Sequence, residues 1–234
     1  MKQLLMFALL CALSLGVHAQ TNDAAAALER GYEAFQLGRY QLAAFEYRAA
    51  LSWPGEHTAR AHFNLGVCLY RLGNPRQAVP EYRQALALRE GRDANAAFAL
   101  GVALQEIGES EAAQKAFAQA VQASDGKHAS AHFELGLLLQ QQSDAERAAE
   151  HYRQAILQSG DRLPVCHNNL GVLLASAGQF AEAEQEFARA LRQSRGKLAE
   201  AEHNLARCRA RRDQAAGLQI AKLQARDRVS LFTP

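Results

Sequence analysis

The stretch His62-Phe63-Asn64-Leu65-Gly66-Val67-Cys68-Leu69-Tyr70 decides the fold, because its Leu-Gly pair returns at a constant interval. Leu100-Gly101, Leu135-Gly136 and Leu170-Gly171 follow it, Gly31 opens the series, and Leu205-Ala206 echoes it. Every step is 35 residues. A fixed period of this length describes stacked units rather than one globular core, so no single active site is to be expected. Further columns keep the step: Ala43, Ala78, Ala113, Ala148 and Ala183; Tyr47, Tyr82, Phe117, Tyr152 and Phe187; Ala50, Ala85, Ala120, Ala155 and Ala190. A turn column reads Gly38, Gly73, Gly108, Ser143 and Gly178.

Within one unit, apolar groups recur at spacings of three and four, which is the helical pattern. Gly73-Asn74-Pro75 then breaks the chain, with Asn74 suited to an N-cap and Pro75 to the first helical position. The second helix carries Ala78, Tyr82, Ala85 and Leu86. No stretch alternates with period two for long enough to form a strand. The Gly and Ala columns are expected where two helix backbones approach closely, with the aromatic column filling the gap between them. Pro80 falls inside a predicted helix and is expected to bend or strain it.

These columns resemble the tetratricopeptide repeat, W-x2-L-G-x2-Y followed by A-x3-F and P. The Leu-Gly pairs match, Ala43-x3-Tyr47 and its four copies match the middle block, and Leu69, Leu104, Leu139 and Leu174 stand where the first aromatic is expected. The leading Trp is replaced by His62, Ala97, His132 or His167, the closing Pro is mostly missing, and the period is one residue longer than the family's 34. The additional residue is expected in the loops holding Gly55, Gly91, Gly126, Gly160 and Gly196. The resemblance implies an all-α, right-handed solenoid of about five helix-turn-helix repeats, approximately 24–58, 59–93, 94–128, 129–163 and 164–198, plus a capping helix at the C-terminal end.

The ends differ from the body. Lys2, the apolar run Leu4 to Val17 and Val17-His18-Ala19 have the form of a cleaved secretory signal over 1–19, with an apolar run too short to span a bilayer. The expected compartment is therefore the periplasm. Cys68, Cys166 and Cys208 remain after cleavage, an odd number that forbids complete internal pairing. Cys68 and Cys208 share a repeat position four units apart, which excludes a bridge between them and makes them buried fillers. The segment 199–228 is expected to be a basic capping helix, and 229–234 a flexible tail. Charge is unevenly placed: residues 189–228 hold 11 Lys/Arg against 4 Asp/Glu, whereas 20–188 hold 14 against 20.

The family places the inner face of the first helices in a concave groove. Carried onto this sequence, that face holds Phe63, Val67 and Tyr70; Phe98, Val102 and Gln105; Phe133, Leu137 and Gln140; and Asn168 and Val172, with Arg60, Arg71 and Asn95 at its margin. An apolar groove with amides suits an extended peptide or an amphipathic helix. The Lys and Arg of a carboxylate clamp are replaced there by Phe, Val and Ala. His62, His132 and His167 share a repeat position, too far apart to hold one metal. They are read instead as packing substitutes for Trp. Neither a metal nor any other cofactor is expected, and catalytic and phosphate-binding signatures are missing, which argues against an enzyme. The expected function is a non-catalytic adaptor that holds a protein or peptide of a cell-envelope complex of the pilus, secretion or polysaccharide-export type. The alternatives are a self-associating or membrane-surface scaffold using a basic surface of Arg207, Arg209, Arg211 and Arg212, or an accessory subunit of an envelope enzyme. Such a surface suits an acidic partner or lipid headgroups, and export argues against nucleic acid.

Overall fold

The computed structural model describes residues 23–230, with side chains as far as residue 219. The signal segment expected over 1–19 and residues 231–234 of the tail lie outside the described residues. Among the described residues the chain is wholly helical, without strands. The helices are α1 (23–36), α2 (Tyr40–Ala50), α3 (Thr58–Arg71), α4 (Pro75–Leu88), α5 (Ala94–Glu106), α6 (Ser110–Ala123), α7 (Ala129–Gln141), α8 (Ala145–Gln158), α9 (Pro164–Ser176), α10 (Phe180–Gln193) and α11 (Ala199–Ser230). The chain divides into two compact units between Lys127 and His128. In the first unit, α3 packs on α2 and α4, and α5 on α4 and α6. In the second, α8 packs on α7 and α9, and α10 lies against α9 and α11.

One contact sets the spacing of each helix pair. A β-carbon added to Gly31, Gly66, Gly101, Gly136 or Gly171 would stand only 2.5–2.7 Å from the ring of Tyr47, Tyr82, Phe117, Tyr152 or Phe187, respectively. The glycines therefore seat the aromatic column itself, and the two-backbone approach expected for them is corrected to a ring lying on bare backbone. All five rings are at most 2% exposed. Burial of each contributes about 1.5–3 kcal/mol. The Ala43 and Ala50 columns flank the rings and are buried throughout.

Turns repeat as faithfully as helices. Each first helix ends in a three-residue turn whose middle residue is left-handed, as at Gly73 (φ +76°). The following amide then reaches back to the helix, Asn74 to the Leu69 carbonyl at 3.0 Å and Asp144 to Leu139 at 2.9 Å. Ser143 occupies the glycine position in one turn, at φ +64°, where a β-carbon is strained. The return connections are five residues long from α4 onward and hold two successive left-handed residues, Glu90-Gly91, Asp125-Gly126, Gly160-Asp161 and Arg195-Gly196. Between α2 and α3 the link is longer, because Pro54 disfavours a helical Trp53 and ends α2 early.

Two local expectations change. Asn74 occupies the N-cap of α4, but its side chain donates to the Leu72 carbonyl at 3.4 Å and makes no cap bond. The helix continues unbroken through Pro80. Pro80 is exposed, so the Arg76 carbonyl that loses its helical donor lies on the wet face. Cys68, Cys166 and Cys208 are free and buried; burial pushes the Cys68 thiol to about 11 and Cys166 to about 12.

Two substitutions test this account. Gly101→Leu forces the Phe117 ring off its seat and should cost about 3 kcal/mol or more; an unchanged thermal midpoint would refute the packing role. Ser143→Gly should stabilise by about 1 kcal/mol by removing left-handed strain, read as a raised urea midpoint at constant m-value.

Candidate functional site

The first-helix faces are half-buried rows. In the first unit, Phe63 and Phe98 are partly exposed, and each ring leans on the aromatic column of its own repeat, with centroids 6.0 Å from Tyr82 and 5.6 Å from Phe117. Val67 and Val102 follow one turn later and Tyr70 and Gln105 continue the row, all partly exposed, with Arg60, Arg71 and Asn95 exposed beside them. A hydrogen bond to Glu106 and partial burial raise the Tyr70 phenol above its ordinary value. Arg60 stands 3.7 Å from Glu29. The rings are thus both packing elements and exposed surface, held in place from behind.

In the second unit the row starts the same way and then turns polar. Phe133 lies 6.1 Å from Tyr152, and Leu137 is half-buried beside it. Gln140 accepts from the Tyr152 hydroxyl at 2.7 Å. Asn169 donates to the same hydroxyl at 3.4 Å, and Asn168 donates to Asn169 at 3.3 Å. Asn204 of α11 then donates to Asn168 at 3.0 Å. Asn168, expected as an open groove residue, is therefore buried and engaged with its neighbours, while Val172 stays partly exposed.

The histidine column is a polar seam between the helices of a pair. His62 Nδ1 meets Glu81 at 2.7 Å, and His132 Nδ1 meets His151 Nδ1 at 2.9 Å. His167 meets Glu186 through Nδ1 and Asp161 through Nε2, both at 2.6 Å. The expected Trp substitutes are thus hydrogen-bonded residues, each reaching 19 positions ahead. Reading the two columns together would have found them: where 97 is Ala, 116 is Ala. His128 instead caps α7, its Nδ1 accepting from the Ala131 amide at 3.1 Å. No group of three His, Cys, Asp or Glu among the described residues is arranged to hold a metal ion.

The four arginines expected as one basic surface divide between two faces of α11. Arg209 donates to Glu184 at 3.2 Å, and Arg212 to Glu184 at 2.6 Å and Asp213 at 3.0 Å. Arg207 and Arg211 face the other way, into a cavity of about 220 Å³ against Val172, Ala175 and Asn204. The net charge of the segment could not show this, because it does not say which face a residue occupies.

Models of the tetratricopeptide repeat match residues 59–92 and 98–164. These residues are tetratricopeptide repeats. The fold of the chain is shared with Pseudomonas aeruginosa PilF, at 22% identity and TM-score 0.65, over 89% of this chain and 99% of that one. MamA protein matches with 22% identity and TM-score 0.65, over 76% of this chain and 96% of that one. YrrB, described as a tetratricopeptide protein with an unusual peptide-binding site, matches with 18% identity and TM-score 0.63, over 82% and 96%. No curated protein matches the chain by sequence. Tetratricopeptide-repeat proteins bind peptides or proteins and are in general non-catalytic adaptors, and the fold is consistent with a protein-protein interaction scaffold.

His167 makes a pH prediction. It is 1% exposed, and both ring nitrogens face carboxylate oxygens, so both must donate and the ring is an imidazolium. Burial opposes that charge, but Glu186 and Asp161 outweigh it and hold the group above its ordinary value. A raised folded value stabilises fully below the unfolded value, near 6.5, and the contribution is lost as pH rises through the folded value. The stability gap between the wild type and His167→Gln should therefore be largest near pH 6 and shrink by pH 8.5, measured by urea unfolding. A gap constant with pH would exclude a charged His167. His151, lowered by burial and by His132, contributes equally to both proteins and cancels.

Proposed function

We propose that this chain is a non-catalytic adaptor of the periplasm that holds a peptide or helix of a cell-envelope complex on the first-helix faces. The observation that carries the reading is the set of half-exposed rings on the first helices of each unit, Phe63 and Phe98 in the first and Phe133 in the second, each braced from behind by a buried aromatic. A ring fixed by packing presents apolar area at little conformational cost, which is what a peptide-binding surface requires. Val67 and Val102 extend the apolar surface of the first unit and Leu137 and Val172 that of the second, and Gln105 offers an amide to a peptide backbone. The YrrB structure, with its unusual peptide-binding site, and the PilF structure are compatible neighbours for such a role. The form of residues 1–19 supports export.

The test is affinity purification from envelope extract followed by mass spectrometry, comparing wild type with Phe98→Ala/Phe133→Ala. A partner retained by the wild type and depleted at least about tenfold by the double variant, a difference of 1.4 kcal/mol or more, is the expected result. Undiminished capture by a variant whose thermal midpoint shows that it is folded would sink the proposal. Fractionation of a tagged chain checks the compartment: recovery in the cytoplasm with an uncleaved N-terminus would remove the export step.

A further inference from the structure

The row of rings does not account for the cavity between α9 and α11. Its floor is apolar, formed by Val172, Ala175 and Phe187, and its rim carries Asn204, Arg207 and Arg211. Arg207 occupies the repeat position of Val67, Val102, Leu137 and Val172, so the apolar strip becomes cationic at its last member. Arg211 follows four residues later, on the same helix face.

Three features make this an anion-accepting place rather than a solvated helix side. Arg207 and Arg211 are exposed and form no ion pair among the described residues, whereas Arg209 and Arg212 on the other face are taken up by Glu184. Two unpaired guanidinium groups on adjacent turns repel each other, and a carboxylate between them relieves that repulsion while matching their fork geometry. Asn204 is also differently placed from its equivalents. Asn64 and Asn169 each stand 17 residues after a tyrosine and bond to its hydroxyl. Asn204 stands 17 residues after Phe187, which has no hydroxyl. Its amide lies on the cavity rim instead, donating to Asn168.

We infer that the cavity between α9 and α11 is a subsite for a side-chain carboxylate of a protein partner, an Asp or Glu next to an apolar residue that rests on Val172 and Ala175. This deepens the groove reading and rests on it. The bound segment then has a direction within the second unit, with apolar side chains toward Phe133 and Leu137 and its acid toward Arg207 and Arg211.

The experiment selects peptides from a random library displayed at the N-terminus of a phage coat protein, so that no free C-terminal carboxylate is offered, on the immobilised protein. Selected sequences should pair Asp or Glu with Leu, Val or Phe. One of them, synthesised with both ends blocked, should bind the wild type and lose about tenfold or more in affinity for Arg207→Glu/Arg211→Glu, with a matching loss when its acid is replaced by the amide. Arg212→Gln, on the opposite face, should change affinity less than about twofold, within the small effects of exposed charges. If the selected peptides lack an acid, or bind the charge-reversed protein equally while still depending on Phe133, the subsite is overturned and the groove stands. If neither protein selects any peptide, the groove reading falls and the subsite with it. Both arginines are exposed, and unchanged thermal midpoints exclude misfolding as the cause of a loss.

Discussion

The contact of a tyrosine or phenylalanine ring with bare glycine backbone is the constraint on which the rest of the structure depends. It fixes how closely the two helices of a pair approach, and five copies fix it identically. With the ring seated, buried alanines fill the flanking columns, and the turn between the helices closes in three residues. The 35-residue step is the consequence, because each pair repeats the same steric problem and admits the same solution. The interior is consumed by this self-packing. Variation is left to the exposed face of the first helices and to the seam between the helices of each pair.

That division explains what could be read from the sequence. The columns, the turns and the helix faces were legible because every repeat restates them, and even Ser143 announced itself as the odd member of a glycine column. The candidate row Phe63, Phe98 and Phe133 was legible for the same reason. The fate of Asn168 was not, since its burial depends on Asn204, 36 residues away on the next first helix. Arg209 and Arg212 were read with Arg207 and Arg211 as one basic surface, because charge counted along a chain does not show that Glu184 stands opposite them. The histidine pairs occupied an intermediate place. A single column suggested packing substitutes for Trp; two columns 19 residues apart show each His matched by Glu or His and Ala97 matched by Ala116.

The seam is a choice between polar and apolar solutions at one structural position. Ala97 and Ala116 fill it with buried methyl groups, and His167 fills it with an imidazolium between two carboxylates. A buried ion pair contributes little net stability over an apolar one, since desolvation offsets most of the attraction. It does penalise any register that leaves the charge unpaired. Such polar seams therefore distinguish repeats that would otherwise be interchangeable, and Asp161, left-handed at the position where other turns carry glycine, ties its loop to the same seam.

The last helix follows a different rule, because α11 runs on as one helix from Ala199 to Ser230, with no turn where the earlier repeats have one. Positions that are apolar and half-buried in the inner repeats face water on α11, and the sequence responds by making Val172's counterpart an arginine. Solvation alone would be met by any charge and by either face. The two faces are instead treated differently. Glu184 draws Arg209 and Arg212 against α10, which fastens α11 to the helix pair before it, while Arg207 and Arg211 have no ion-pair partner among the described residues and stand over an apolar floor. A helix that only covers α9 and α10 has no need of that second pair, whereas one that also completes a binding surface requires a group its ligand can meet. Within the second unit, that group sets the α11 end of the surface apart from the apolar Phe133 and Leu137, so that a bound segment is read for its orientation as well as for its hydrophobicity.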